Sequence, residues 1–152
     1  MVYLNYAFNE KYLIKDINMF YNKVFEDYEH FDKNFPGGMV LWCVDKSIKK
    51  RCLSVGHHYD LGVCLTHCIF SDFYDKERDK ISRGSFDHIA VYNKLKLKSV
   101  VDIYDGLLIS EGLFFPIDIA WIAMKEFIDT GKMSLHLEWI IPESMPDEGN
   151  WG

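Results

Sequence analysis

Hydrophobic and polar positions are most regularly spaced between residues 114 and 140, where the pattern predicts a helix followed by a strand. Apolar side chains recur every three or four positions from Ile117 to Ile128, which is typical of a helix with one face on a core. Gly131 supplies the left-handed residue that ends many helices. Residues 133–139 then alternate between apolar and polar, so we predict a half-buried strand there.

The N-terminal part of the chain shows a second helical spacing. Leu13, Phe20 and Val24 belong to the apolar face of a helix that we predict from about residue 9 to about residue 31. An aromatic-rich segment at residues 3–8 precedes this helix and is predicted as an edge strand.

Residues 39–102 contain short apolar runs and alternating patterns that favour strands. Strands are predicted at residues 39–44, 51–55, 59–70, 85–92 and 94–102, the last with its lysines facing outward. Gly56 is predicted to mark a turn and Gly62 a bulge. The charged segment 71–84 has no clear period and is predicted as a surface loop or a short exposed helix.

These elements predict a single α+β domain over residues 1–141. Its sheet is expected to be mostly antiparallel, because consecutive strands are joined by short turns. The N-terminal helix and the C-terminal helix–strand unit are expected to pack on that sheet. Residues 142–152 are rich in proline, glycine and acidic residues, so they are predicted to form a loose acidic tail.

The formal net charge of −6 over 152 residues narrows the range of partners. A nucleic-acid binder must neutralise phosphates with Lys and Arg, and an anionic membrane attracts basic segments, so neither partner is expected. A negative surface instead favours a basic protein partner. No apolar run approaches the roughly 18 residues of a spanning helix. The N-terminus lacks the pattern of a secretion signal, so we expect a cytoplasmic protein whose four cysteines are reduced.

Histidine and cysteine form one dense group of potential metal ligands: His57, His58, Cys64, His67 and Cys68. Imidazole and thiolate are suitable zinc donors, so a small metal-dependent enzyme built on this group is one alternative. However, the spacing matches no familiar C-x2-C pair, and along a strand the two cysteines share a face opposite to His67. The chain also lacks a G-x-S-x-G elbow, an H-E-x-x-H motif and a phosphate-binding glycine loop. We therefore expect a protein that is not an enzyme and needs no cofactor.

Two segments that mix acidic and aromatic residues are the candidate partner-binding surfaces. The first holds Asp72, Phe73, Tyr74, Asp75, Glu77 and Asp79, and the second holds Asp102, Tyr104, Asp105 and Glu111. Aromatic side chains supply the anchors of protein interfaces, and carboxylates pair with a basic partner. The alternatives are an ordinary solvated loop and an adaptor domain that binds a peptide along a sheet edge.

The opening stretch also carries a family resemblance. Pro116…Ala123, Glu126-Phe127, Thr130-Gly131 and Glu138-Trp139 resemble the C-terminal end of the first-numbered immunity-protein family of bacterial polymorphic toxin systems. Members of that family often finish with a helix reading roughly A-x-x-E-F-x-x-T-G and then a strand that ends in tryptophan. Upstream, Tyr59-Asp60-Leu61-Gly62 is similar to a tyrosine/aspartate/glycine strand of the family. The chain departs from the family at Met133-Ser134, where a proline is common, and in its longer tail.

The resemblance implies a small, non-enzymatic, cytoplasmic α+β protein that binds one cognate toxin and blocks it. Toxins paired with this family include nucleases and nucleic-acid deaminases. The matched residues are structural, so the resemblance supplies no site. The negative net charge of the chain is consistent with this implied function, because an acidic, aromatic surface can fill the basic substrate cleft of a toxin that acts on nucleic acid.

Overall fold

The computed structural model describes residues 2–5, 11–22, 25, 38–44 and 50–151. Within these residues the strands are β1 (Val2–Asn5), β2 (Lys11–Leu13), β3 (Gly38–Val44), β4 (Lys50–His58), β5 (Gly62–Asp75), β6 (Lys80–Val91), β7 (Val100–Tyr104), β8 (Leu107–Ser110) and β9 (Glu138–Ile140). The α-helices are α1 (Ile17–Tyr21) and α2 (Ile117–Thr130). Short 3-10 helices span Lys94–Lys96, Glu111–Leu113 and Pro142–Ser144. No helix of the described residues is both long and apolar enough to cross a membrane.

The predicted α+β class with a mostly antiparallel sheet is confirmed. Seven strands of the described residues form one sheet in the order β2-β1-β3-β4-β5-β6-β9, and each neighbouring pair is antiparallel. From β3 to β6 the strands follow one another as a meander, as the sequence predicts. β7 and β8 pair with each other in a separate two-stranded sheet.

One face of the large sheet carries α1 and α2. Leu41, Leu53 and Leu65 on adjacent strands are fully buried against Met124 and Phe127 of α2. Helix α1 joins this core through Phe20, whose ring lies beside Trp121. The regular apolar spacing of α2 is therefore explained by burial on the sheet, as predicted.

The other face of the large sheet is covered by the β7–β8 hairpin and the C-terminal segment. Ile89 and Val91 of β6 pack there with Ile109 of β8, and Met145 and Trp151 lie against the same cluster. Residues 142–151, predicted as a loose tail, are instead tied to β8. The Ser110 N–H donates to the Asn150 carbonyl (2.8 Å), and the Asn150 side chain donates to the Leu108 carbonyl (2.6 Å).

The segment after α2 differs from its predicted strand. Gly131 does end the helix in the left-handed conformation, with φ 67°, and its N–H donates to the Phe127 carbonyl. However, only Glu138–Ile140 pairs as a strand, with β6. Before it, the Trp139 indole N–H donates to the Ser134 carbonyl (2.6 Å), and Leu135 is 91% exposed. The alternating pattern therefore belongs mostly to a turn, which that side-chain hydrogen bond closes.

The predicted N-terminal elements also change. Lys11–Leu13, placed in a helix by the sequence pattern, is a strand that pairs with β1. The helix begins at Ile17, because the Asp16 carboxylate caps it by accepting the N–H groups of Asn18 and Met19. Strand β1 lies between β2 and β3, so it is not the predicted edge. Residues 6–10, 23–24 and 26–37 lie outside the described part, and with them nearly half of the predicted helix.

Between residues 50 and 104, several boundaries were predicted wrongly. Gly56 lies inside β4, and the β4–β5 turn is at residues 59–61. Gly62 begins β5 in unbroken register, so it is not a bulge. The segment 71–84 forms the outer part of a long β5–β6 hairpin. Residues 94–102, predicted as one strand, form a 3-10 turn followed by the start of β7. The Asn93 side chain caps this turn by accepting the Leu95 N–H.

Candidate partner-binding surfaces

The first predicted surface lies at the end of the β5–β6 hairpin, which we call the β5–β6 tip (residues 72–80). Asp75 faces the turn, where its carboxylate accepts the N–H groups of Glu77 (3.0 Å) and Arg78 (3.2 Å). The Tyr74 hydroxyl, on a side chain that is 57% exposed, donates to Asp79. Asp72 and Glu77 are also exposed, whereas the side chain of Phe73 lies outside the described part of the structure.

Charge at the β5–β6 tip is nearly balanced. It holds the four predicted carboxylates, but Lys76, Arg78 and Lys80 stand among them, so its formal charge is only −1. Arg78 also pairs with Asp75, with 3.7 Å between Nε and Oδ2. The negative charge of the four predicted carboxylates, which is expected to attract a basic partner, is therefore mostly offset by basic side chains of the same segment.

The second predicted surface is the β7–β8 hairpin (residues 100–111). Its turn is held by Asp102, whose carboxylate accepts the Gly106 N–H at 3.0 and 3.2 Å. Asp105 occupies the turn with φ 44°, a conformation that aspartate tolerates better than most residues. Glu111 is half-buried and accepts a hydrogen bond from the Ser99 hydroxyl (3.2 Å). Asp102 and Glu111 thus shape the hairpin, and Asp105 is exposed at its turn.

The outward side of the β7–β8 hairpin combines this acidity with apolar area. Tyr104 is 53% exposed, and Leu107 and Leu108 of β8 are 40% and 42% exposed. Asp102 pairs with Leu108 and Tyr104 with Leu107, so each of these exposed leucines lies across from an exposed residue of β7. The hairpin contains three acidic residues and no Lys or Arg, giving a formal charge of −3. It matches the expected acidic, aromatic surface better than the β5–β6 tip does.

The two predicted surfaces belong to different parts of the fold. The β5–β6 tip continues the large sheet beyond β4, because Lys50 at the start of β4 already pairs with Phe70. The β7–β8 hairpin instead packs on the face of the large sheet and contacts β4. We therefore treat them as two separate candidates rather than as one continuous site.

The predicted histidine and cysteine group is divided by the sheet. Cys64 packs in the cluster under the β7–β8 hairpin, whereas His67 contacts Phe127 on the helical face, as the strand alternation predicts. Within the described residues, no set of three or more His, Cys, Asp or Glu side chains is placed to hold a metal ion. Two histidines of the group, His57 and His67, are buried, with exposed fractions of 2% and 3%.

Cys52 and Cys68 lie directly opposite each other on β4 and β5, and Asp87 faces Cys68 from β6. The Cys68 thiol hydrogen-bonds to Cys52, which lowers the pKa of Cys52 and raises the pKa of Cys68. Burial and the Asp87 carboxylate raise the pKa of Cys68 further. At Cys64, burial raises the pKa to about 12. All four cysteines are free, and Cys64 and Cys68 are thereby held as thiols.

A third surface, which the sequence patterns did not single out, is an open cleft of about 510 Å³. Its described lining comes from the β4–β5 turn, the start of α2, and Tyr21 of helix α1 with Phe25. We call it the aromatic cleft, and its described lining residues are Tyr21, Phe25, His58, Tyr59, Asp60, Leu61, Gly62, Pro116, Ile117 and Asp118. The sequence held two signals near this cleft: Gly62 and the family-like segment Tyr59-Asp60-Leu61-Gly62. The other lining residues are far away in the sequence, so no local pattern connects them to this segment.

Comparison with protein-family models, with curated proteins and with solved structures finds no match for this chain.

Proposed function

We propose that this protein is an immunity protein, which binds a cognate bacterial toxin domain through the outward surface of the β7–β8 hairpin and blocks its active site. The observation that carries the proposal is the hairpin's combination of exposed Tyr104, Leu107 and Leu108 with three acidic residues and no basic one. Interfaces of high affinity rely on a few aromatic anchors surrounded by complementary charge. A toxin that acts on nucleic acid presents the basic cleft that such a surface fits.

The resemblance of residues 116–139 to the immunity family supports the proposal independently of charge. In the structure the matched residues have structural tasks: Phe127 is buried in the core, Gly131 turns the chain and Trp139 closes the turn before β9. A structural motif of this kind leaves recognition to other surfaces. The β7–β8 hairpin comes immediately before this unit in the chain, and it is the more acidic of the two predicted surfaces.

The proposal is tested by coexpression with the toxin domain encoded by the neighbouring upstream gene, with cell growth as the readout. We expect the full chain to restore growth and to copurify with the toxin domain in equal amounts. If the neighbouring gene encodes no toxin domain, or if coexpression gives no protection, the proposed function is wrong.

Two matched variants locate the surface. Tyr104→Ala should weaken protection, since it removes an exposed aromatic anchor from the β7–β8 hairpin. Tyr74→Ala removes a tyrosine of similar exposure from the β5–β6 tip and should leave protection unchanged. The opposite result would move the interface to the β5–β6 tip while leaving the immunity function standing.

A further inference from the structure

The aromatic cleft exists because two distant segments are joined by a bridge of backbone hydrogen bonds. Val63 N–H donates to the Phe115 carbonyl (3.0 Å), and Phe115 N–H donates to the Val63 carbonyl (2.8 Å). Gly62, with φ 100°, permits this approach, because a Cβ there would lie 2.0 Å from the Phe115 oxygen. The bridge holds the β4–β5 turn beside the start of α2, so that Asp60 and Asp118 line the same cleft.

The charged side chains among the described lining residues of the cleft are all acidic. Asp60 and Asp118 are exposed, and no Lys or Arg occurs among the described lining residues. Around the β4–β5 turn and the start of α2 the sequence also lacks basic residues, since none occurs between Arg51 and Lys76 or between Lys98 and Lys125, whereas Lys23 lies between the lining residues Tyr21 and Phe25. Two carboxylates that face one opening attract a cationic group and oppose an anionic one.

The aromatic lining adds flat surfaces to this charge. His58 and Tyr59 stack with their ring centroids 4.6 Å apart, and Tyr59 is 70% exposed. The Asp60 N–H donates to His58 Nδ1 (3.2 Å), which fixes the histidine ring within the turn. Two further lining residues, Tyr21 and Phe25, pack on Trp121 with ring centroids 4.9 and 5.8 Å apart. The cleft therefore offers supported aromatic rings next to carboxylates.

We infer that the aromatic cleft binds the guanidinium group of an arginine side chain presented by a partner protein. A guanidinium is planar, so it stacks on tyrosine or histidine while its N–H groups donate to a carboxylate in a bidentate fashion. A lysine ammonium shares the charge but lacks the plane and the paired donors. The cleft thus recognises an arginine in preference to a lysine, and both in preference to a neutral side chain.

The inference rests on the proposed function only for the identity of the protein that carries the arginine. A toxin domain with a basic substrate cleft has such residues, and an arginine held in the aromatic cleft would add a second contact to that of the β7–β8 hairpin. Binding of an isolated arginine side chain can be measured without any toxin. A failure of the inference is therefore distinguishable from a failure of the proposed function.

The test is an NMR titration of the full chain with N-acetyl-arginine methylamide. Parallel titrations use the lysine compound and the citrulline compound, which keeps the shape of arginine but has no charge. Saturable shifts are expected at the backbone amides of residues 58–62 and 117–118, strongest for arginine, weaker for lysine and absent for citrulline. Equal binding of citrulline, or an absence of localised shifts with arginine, would overturn the inference.

Variants then assign the contacts. Asp60→Asn and Asp118→Asn should each weaken arginine binding roughly three- to tenfold, because each removes a charge-assisted hydrogen bond. Tyr59→Ala should weaken it similarly, whereas Tyr59→Phe keeps the ring and should bind normally. Asp129→Asn, at the far end of α2, is the matched control and should have no effect. If Asp129→Asn weakens binding as much as Asp60→Asn, the attraction is general and the cleft is not an arginine site.

Discussion

Gly62 is a single residue on which the approach of two segments depends. It combines φ 100° with a missing side chain, and the Phe115 carbonyl fills the space that a Cβ would need. Gly106 has a similar backbone conformation, φ 85°, but no atom lies within 4 Å of its hypothetical Cβ. Alanine substitutions at the two glycines therefore distinguish the cost of the strained backbone conformation from the cost of steric overlap.

Gly62→Ala should destabilise the fold by about 3 kcal/mol or more, because the strained conformation and the overlap with the Phe115 carbonyl add together. Gly106→Ala should cost only about 1–2 kcal/mol, since it retains the strain alone. Urea denaturation of both variants measures the difference. Equal losses would show that the backbone at the Val63–Phe115 bridge shifts to accept a methyl group.

His67 is a buried histidine whose proton binding is linked to stability. The centroid of its ring lies 5.8 Å from that of Phe127 and 6.3 Å from that of Trp139. Burial lowers the pKa of His67 to about 4, and the nearby His88 and Arg51 act in the same direction. In the unfolded chain a histidine has a pKa of about 6.5. The unfolded state therefore binds more protons than the folded state between these two values, and stability falls as the pH falls through this range.

Between pH 7 and pH 5, His67 should reduce the free energy of unfolding by about 2 kcal/mol. His67→Leu should remove this part of the pH dependence, whatever it does to stability at pH 7. His136→Gln, which changes an exposed histidine, should leave the dependence intact. The measurement is denaturant unfolding at both pH values. An unchanged pH dependence in His67→Leu would mean that His67 is not the group that titrates.

At the scale of elements, the sequence predicted best where one pattern has one physical cause. Helix α2 was predicted because its apolar stripe faces the sheet and Gly131 ends it. The β5–β6 tip was missed because residues 71–75 pair with β6 and extend past the start of β4, with no core beneath them to impose an alternating pattern. The turn before β9 was mistaken for a strand because a side-chain hydrogen bond from Trp139, which has no periodic signal, closes it.

The candidate sites, too, were predictable only where a local sequence pattern marks them. Both predicted acidic segments lie at the surface, but two of their carboxylates also have a structural role in the turns: Asp75 and Asp102 accept backbone N–H groups of their own turns. The aromatic cleft was not predictable by periodicity, since it joins residues 58–62 to 116–118 across the chain. Gly62 was noticed, but it was assigned to a bulge rather than to a close approach between segments.

The C-terminal segment acts as an additional element on β8, although its composition predicts a loose tail. The Asn150 N–H donates to the Ser110 hydroxyl (2.9 Å), and that hydroxyl donates to the Leu97 carbonyl (2.6 Å). Trp151 lies against the cluster that the β7–β8 hairpin covers. The segment therefore satisfies polar groups around the fully buried Ser110 and covers apolar area at the same time.

Truncation after Met145 should destabilise the protein by about 2–4 kcal/mol, because it removes the Trp151 contacts and leaves buried polar groups without partners. Amide hydrogen exchange should become faster mainly in β7 and β8, while α2 and the helical face stay protected. Leu135→Ala, which truncates an exposed side chain outside this cluster, serves as the control and should change neither stability nor exchange. A truncated chain with wild-type exchange in β8 would show that the tail is dispensable.

For the whole molecule, the distribution of charge is more informative than the net value of −6. The β7–β8 hairpin and the described lining of the aromatic cleft contain acidic residues but no Lys or Arg, whereas the β5–β6 tip alternates both signs. A basic partner is therefore attracted toward the first two surfaces. Because long-range attraction accelerates encounter, the rate of association should report which surface guides the partner.

Asp105→Lys should slow association with the toxin domain about tenfold at low salt, because it places a positive charge on the surface that attracts the partner. Raising the ionic strength from about 0.01 M to about 0.15 M shortens the screening length from about 30 to about 8 Å, so the difference from wild type should shrink. Glu77→Lys makes the same charge change on the β5–β6 tip, and there we expect less than about a twofold effect. Stopped-flow fluorescence gives the rates. If Glu77→Lys slows association more than Asp105→Lys, the β5–β6 tip guides the encounter, and the hairpin is not the recognition surface.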